Sequence, residues 1–230
     1  MSQKIFIIHG WGYTLDKWQK IMPLLQQKGL DPVLLKVPGL TLASDQVWDI
    51  NGYVNWLEAE LKGQDRPVVI GHSNGGRIAL SYLQTHPQAF KRLVLVDSAG
   101  MVNDSILRGV KLKILLILSK IGKPLAHIPI VNKVFYRIIG AQDYKQASPS
   151  MRLTMQNMLK ADKLIDFAKV QVPVTLIWGS DDTLTPVSDG KKMQALLPAS
   201  QLHIVPGGRH SPQDTHAAEV ARLIEQAVKD

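Results

Sequence analysis

The chain has 230 residues and not one cysteine. Disulfides, thiolate metal sites and a cysteine nucleophile are therefore excluded, and the absence fits a reducing compartment. Long apolar runs are missing as well. None approaches the roughly 20 residues that a membrane-spanning helix needs. The run Ile5-Phe6-Ile7-Ile8 is too short for a signal-peptide core and leads into His9-Gly10 rather than a small-residue cleavage site, so it reads as a buried strand. The expected location is the cytoplasm. No low-complexity tract or internal repeat is present. With 45% hydrophobic and 20% charged residues, one folded core is expected and disorder is not.

Acidic residues are scarce in one segment only. The formal net charge is +8, yet residues 101–169 hold 12 of the 27 basic and 4 of the 19 acidic residues, and the remaining 15 and 15 balance. The rest of the chain is neutral, and no nucleic-acid-binding motif is recognised, so a nucleic-acid partner is not expected despite the high pI.

Short apolar, β-branched runs alternate with helical patterns, which argues for βαβ units and a mostly parallel central sheet of about six strands flanked by helices, an α/β fold. The predicted strands are Ile5–Ile8, Val33–Val37, Val68–Ile70, Leu93–Val96, Val174–Trp178 and Gln201–Val205. Most are apolar throughout, as expected when helices cover both faces. Helical stretches are predicted at Trp18–Gln27, Tyr53–Leu61, Gly75–Gln84, Gly190–Leu196 and His216–Val228. Residues 101–169 break this rhythm. They read as several helices punctuated by glycine and proline, inserted after the fourth predicted strand.

Val68-Val69-Ile70 is followed by Gly71-His72-Ser73-Asn74-Gly75-Gly76 and then a helical pattern. This is G-x-S-x-G between a strand and a helix. A tight turn there strains the serine at its tip and exposes its hydroxyl above the carboxyl edge of the sheet, while the glycines let strand and helix approach. The backbone N–H of Asn74, opening the helix, can hold a developing oxyanion. Alone, the motif also suits a glycine-rich turn without catalysis. Phosphate binding is weaker still, because G-x-G-x-x-G and the Walker lysine are both missing.

A serine hydroxyl needs a base. Of seven histidines, His210 lies in Gly207-Gly208-Arg209-His210, a loop just past the last predicted strand, where its ring can reach a neighbouring strand tip. His72 adjoins the serine, but adjacent side chains diverge. A carboxylate should then orient the imidazole. Trp178-Gly179-Ser180-Asp181-Asp182 follows the fifth predicted strand, and Asp97 ends the fourth. Any one of these aspartates could equally be a turn or a helix cap.

With these motifs in place, the sequence resembles the α/β-hydrolase superfamily. His9-Gly10-Trp11-Gly12 after the first strand, the serine motif, Trp178-Gly179-Ser180-Asp181-Asp182 with Pro186, Gly207-Gly208-Arg209-His210, and Trp18 carry the resemblance. It implies Ser73 as nucleophile, His210 as general base and Asp182 rather than Asp181 as the acid. It also implies Trp11 N–H as a second oxyanion donor beside Asn74, with His9 shaping that loop. No cofactor and no metal ion is expected. Residues 1–100 and 170–230 would form the core and residues 101–169 an all-helical cap over the site. The family's first two strands look absent, Asn74 stands where an apolar residue is commoner, and Arg209 replaces a small residue.

The implied activity is a serine hydrolase (carboxylesterase, thioesterase or lipase-like) cleaving an ester or thioester by two-step acyl transfer. Serine at the elbow argues against epoxide hydrolases and haloalkane dehalogenases. A serine-dependent carbon–carbon bond hydrolase, cofactorless perhydrolysis, and a receptor-like ligand binder with little turnover are the alternatives. In the cap, Ile106, Val110, Ile114 and Ile117 share one helical face, and Leu112, Leu115 and Leu116 fall among Arg108, Lys111, Lys113, Lys120 and Lys123 on the other. Those leucines either pack on other cap helices or form a basic amphipathic element for an anionic, lipid-like acyl substrate or an anionic membrane surface.

Overall fold

A computed structural model of the chain describes residues 2–102 and 147–229. Among the described residues, six strands form one sheet: β1 (Gln3–Ile8), β2 (Leu30–Leu35), β3 (Val68–His72), β4 (Arg92–Val96), β5 (Val174–Gly179) and β6 (Ser200–Val205). Their spatial order is β2-β1-β3-β4-β5-β6, and every neighbouring pair is parallel. Helices α1 (Ile21–Gln27), α2 (Ile50–Glu60), α3 (Asn74–Thr85), α4 (Pro149–Ala161), α5 (Val187–Leu196), α6 (Pro212–Thr215) and α7 (Ala217–Lys229) connect and flank the strands. This is the α/β architecture expected from the sequence.

Burial on both faces explains the continuous apolar strands. Ile5, Ile7, Ile70, Val94, Val96 and Ile177 pack with Trp18, Ile21 and Leu25 and with Val220 and Ile224 of α7 on one side. Phe6, Ile8, Val69, Leu93, Leu95 and Leu176 pack with residues of α2, α3, α4 and α5 on the other. Alternate residues of one strand thus feed two cores. At about 25 cal/mol per Å² of apolar surface, these two layers dominate the folding free energy. The edge strand β6 is the exception: most of its residues are partly or fully exposed.

Among the boundaries that differ from expectation, three have a clear local reason. β2 spans Leu30–Leu35 rather than Val33–Val37, because Val37 opens a turn in which its N–H bonds the Thr41 hydroxyl and its carbonyl accepts from Thr41 N–H. Pro32 is tolerated because β2 is an edge strand. The first predicted helix divides into a 3₁₀ turn at Asp16–Trp18 and α1, where Pro23 occupies the first turn and so forfeits no internal bond. The last divides into α6, opened by Pro212 at its first position, and α7.

The sheet order sets where a site can form. The chain leaves β1 toward β2 and then returns to β3 on the other side of β1, so the crevice outside the carboxyl ends of β1 and β3 is a topological switch point. Residues 103–146, with the amphipathic helix expected at 106–123, lie outside the described residues. The described end of the insertion holds α4 and 3₁₀ turns at Asp162–Leu164 and Phe167–Lys169. Ser148 caps α4, and Thr154 and Asn157 tie it to the backbone of Trp48 ahead of α2. Among the described residues, no helix is long and apolar enough to cross a membrane.

Candidate active site

Ser73 joins β3 to α3 with φ +51 and ψ −117, a left-handed conformation that a residue with a Cβ adopts only under strain. The flanking glycines make the turn possible. A Cβ on Gly71 would lie 2.6 Å from Gly76 Cα, and one on Gly75 would collide with the Ile8 carbonyl. Ser73 N–H bonds Val96 carbonyl at 3.1 Å, and Ser73 carbonyl accepts from Ala99 N–H at 3.0 Å, so the turn is stitched to the end of β4. The hydroxyl remains partly exposed at the sheet's carboxyl edge.

The loop after β6 brings His210 over this hydroxyl. His210 Nε2 lies 2.9 Å from Ser73 Oγ, and His210 Nδ1 lies 2.8 Å from Asp182 Oδ2. With Nδ1 donating to the carboxylate, Nε2 is free to accept the serine proton. Asp182 follows β5, its side chain fully buried, and it is rich in donors. Leu184 N–H and Thr185 N–H reach Oδ1 at 2.7 and 3.2 Å, and the Thr185 hydroxyl reaches Oδ2 at 2.7 Å. Burial alone would raise its pKa, but the His210 contact and these donors outweigh it and hold the carboxyl below its ordinary value. Asp181 turns away to accept from the Ser180 hydroxyl and does not meet His210.

His72 is a contributor that sequence reasoning passed over. Its side chain does diverge from Ser73, but Nε2 comes to 2.7 Å from the His210 carbonyl, and its ring stands edge-on to Trp18. Burial, reinforced by the proximity of His210, lowers its pKa to about 3. The ring is therefore neutral, and the Nε2 facing a carbonyl carries its hydrogen. Nothing local in the sequence announces an acceptor 138 residues away.

Trp11 lies on the loop after β1 and Asn74 opens α3. Asn74 N–H, at the first helical position, is one of the donors that a helix leaves unpaired. His9 shapes the Trp11 loop: Nδ1 donates to Gly10 carbonyl at 2.7 Å and Nε2 accepts from the Thr41 hydroxyl at 2.7 Å, while burial lowers its pKa. The buried Asn74 side chain accepts at Oδ1 from Arg77 Nη1 at 2.6 Å. The same guanidinium forms a two-pronged pair with Asp162, at 2.6 and 3.1 Å. Asn74 and Arg77 therefore link the start of α3 to the end of α4, whereas Arg209 is exposed. Asp97, at the end of β4, accepts Gly179 N–H at 2.8 Å. Asp97, Asp182 and His210 carry potential metal-ligand atoms within 4.8 Å of one another, but Asp182 and His210 Nδ1 already spend theirs on hydrogen bonds inside the protein.

The arrangement can move a proton from a hydroxyl to an imidazole that a carboxylate steadies. A family model described as the alpha/beta hydrolase fold matches residues 4–115. An uncharacterised hydrolase, YugF, of Bacillus subtilis strain 168 is 26% identical over 248 residues, covering 94% of this chain and 89% of its own. A pimeloyl-[acyl-carrier protein] methyl ester esterase of Neisseria meningitidis serogroup C is 24% identical, covering 99% of this chain and 94% of its own. The crystal structure of MGS-MChE2, an alpha/beta hydrolase enzyme from a lagoon-sediment metagenome, superposes with a TM-score of 0.73 at 19% identity, covering 100% of this chain and 91% of that one. The family match over residues 4–115 and the all-parallel sheet give this chain the α/β-hydrolase fold.

Proposed function

We propose that the protein is a serine hydrolase that cleaves carboxylic esters or thioesters by two-step acyl transfer. The observation that supports this most is the unbroken chain of contacts from Ser73 Oγ through His210 to Asp182 at the carboxyl edge of the sheet. His210 Nε2 takes the Ser73 proton as Oγ attacks the carbonyl carbon. The N–H groups of Trp11 and Asn74 hold the oxyanion, each worth about 3–4 kcal/mol of barrier. The proton passes from His210 to the departing alcohol or thiol. Water, deprotonated by His210, then releases the acyl group from Ser73.

Two relatives support the hydrolytic class, one called a hydrolase and one a methyl ester esterase. The reading extends to residues 101–169 as a cap over the site, its basic face suited to anionic, lipid-like acyl chains or an anionic membrane surface, and to a cytoplasmic location. A panel of esters and thioesters of graded chain length, with and without Ser73→Ala, tests the activity. Turnover that survives the substitution, or cleavage confined to carbon–carbon bonds, contradicts it. Anionic vesicles should raise rates on long acyl esters; unchanged rates and sedimentation would remove the lipid surface from the proposal.

A further inference from the structure

A second aspartate lies beside His210 and takes no part in the chain of contacts just described. Asp97 ends β4, is fully buried, and sits in a left-handed conformation with φ +41. Its Oδ1 accepts Gly179 N–H, but Oδ2 has no hydrogen-bond partner among the described residues. A carboxyl oxygen of Asp97, one of Asp182 and a ring nitrogen of His210 all lie within 4.8 Å of one another. The two aspartates end neighbouring strands and meet opposite surroundings. Asp182 receives hydrogen bonds from Leu184, Thr185 and His210, and Asp97 receives one.

A buried polar atom left unpaired is costly, and so is a left-handed backbone at a residue with a Cβ. Gly179 does not require a carboxyl, because an asparagine would accept the same N–H. The acidity of residue 97 therefore serves its other neighbours. We propose that Asp97 is a second positioning carboxyl for His210, whose unpartnered oxygen can take the imidazole Nδ1–H in place of Asp182. The inference rests on the reading of His210 as general base.

The titratable groups that face Asp97 are Asp182 from the loop after β5 and His210 from the loop after β6. His72 from β3 stands behind His210, with ring centroids 5.2 Å apart. Burial and, after it, the Asp182 charge push the Asp97 carboxyl up to about 8, so at neutral pH it holds a proton. Where residue 182 is no longer a carboxylate, that repulsion disappears. Once ionised, Asp97 can then accept Nδ1–H while Nε2 accepts the Ser73 proton. The resulting imidazolium pairs with a single carboxylate, and the charge balance of the original site is restored.

The test compares p-nitrophenyl ester turnover from pH 6 to 10 in Asp182→Asn, Asp97→Asn/Asp182→Asn and Ser73→Ala/Asp182→Asn. Asp182→Asn should retain a rate at least about tenfold above the Asp97→Asn/Asp182→Asn variant, rising with pH as Asp97 loses its proton. Equal rates in these two variants at every pH, or a flat profile in Asp182→Asn, would overturn the inference and leave the serine mechanism standing. A residual rate that survives Ser73→Ala would instead count against the hydrolase reading itself. A readout independent of turnover is the downfield imidazole Nδ1–H proton resonance. It should be present at alkaline pH in Asp182→Asn and absent once residue 97 is also asparagine; its absence from Asp182→Asn would equally overturn the inference.

Discussion

His72 Nε2 stands 2.7 Å from the carbonyl oxygen of His210, so the residue before the serine fixes the loop that carries the imidazole. Replacing His72 by phenylalanine keeps an aromatic ring against Trp18 but leaves that carbonyl unpaired. Stability should fall by about 1–3 kcal/mol, the cost of one orphaned buried group. The rate should fall further than stability explains, by about 10–100-fold in kcat with little change in KM, because the imidazole drifts from Ser73 Oγ. Steady-state kinetics alongside thermal melting separates the two effects.

Gly10 lies against the same pair. A Cβ there would sit 2.8 Å from His72 Nδ1 and 2.9 Å from Ser73 Cβ. Gly10→Ala should therefore leave a folded protein with ester turnover reduced at least tenfold, since the side chains that must yield are those of His72 and Ser73. Circular dichroism and a turnover assay check both halves of the expectation.

Arg77 and Asp162 form a pair with little exposure between the start of α3 and the end of α4. Removing one partner strands a buried charge, so Arg77→Met should cost about 3–5 kcal/mol, and the Arg77→Met/Asp162→Leu double variant should cost less than Arg77→Met alone. Chemical denaturation across this double-mutant cycle gives the coupling directly.

Asp97 makes stability depend on pH with a definite sign. Its folded pKa is raised, to about 8, so between the ordinary carboxylate range and 8 the folded state binds more protons than the unfolded chain, and this residue makes the protein less stable as pH rises. Asp97→Asn removes that dependence. The variant should gain on the parent by up to about 1.4 kcal/mol per pH unit between pH 4 and 8, and by little below pH 4. Melting curves across that range measure the gap.

Local chemistry carried much of the fold and half of the site. The β3–Ser73–α3 unit is legible because G-x-S-x-G demands a strained turn, and the apolar runs of β1, β4 and β5 are legible because both faces of the sheet are covered. The end of β2 is not, because the Thr41 hydroxyl that turns the chain at Val37 acts only through folded geometry. Asp181 and Asp182 are indistinguishable by position alone. The resemblance favours Asp182, and in the structure Leu184 and Thr185 N–H turn its carboxyl toward His210. His72 and the Arg77–Asp162 pair were missed for the same reason: each partner lies far along the chain, and nothing local marks it.

The central claim is that the Ser73 hydroxyl, activated by His210, attacks a carbonyl carbon. Labelling with a fluorophosphonate, followed by peptide mass spectrometry, addresses this most directly. The account expects one adduct, on Ser73, lost in Ser73→Ala and strongly slowed in His210→Ala. An adduct on any other residue, or undiminished labelling of Ser73→Ala, would contradict it.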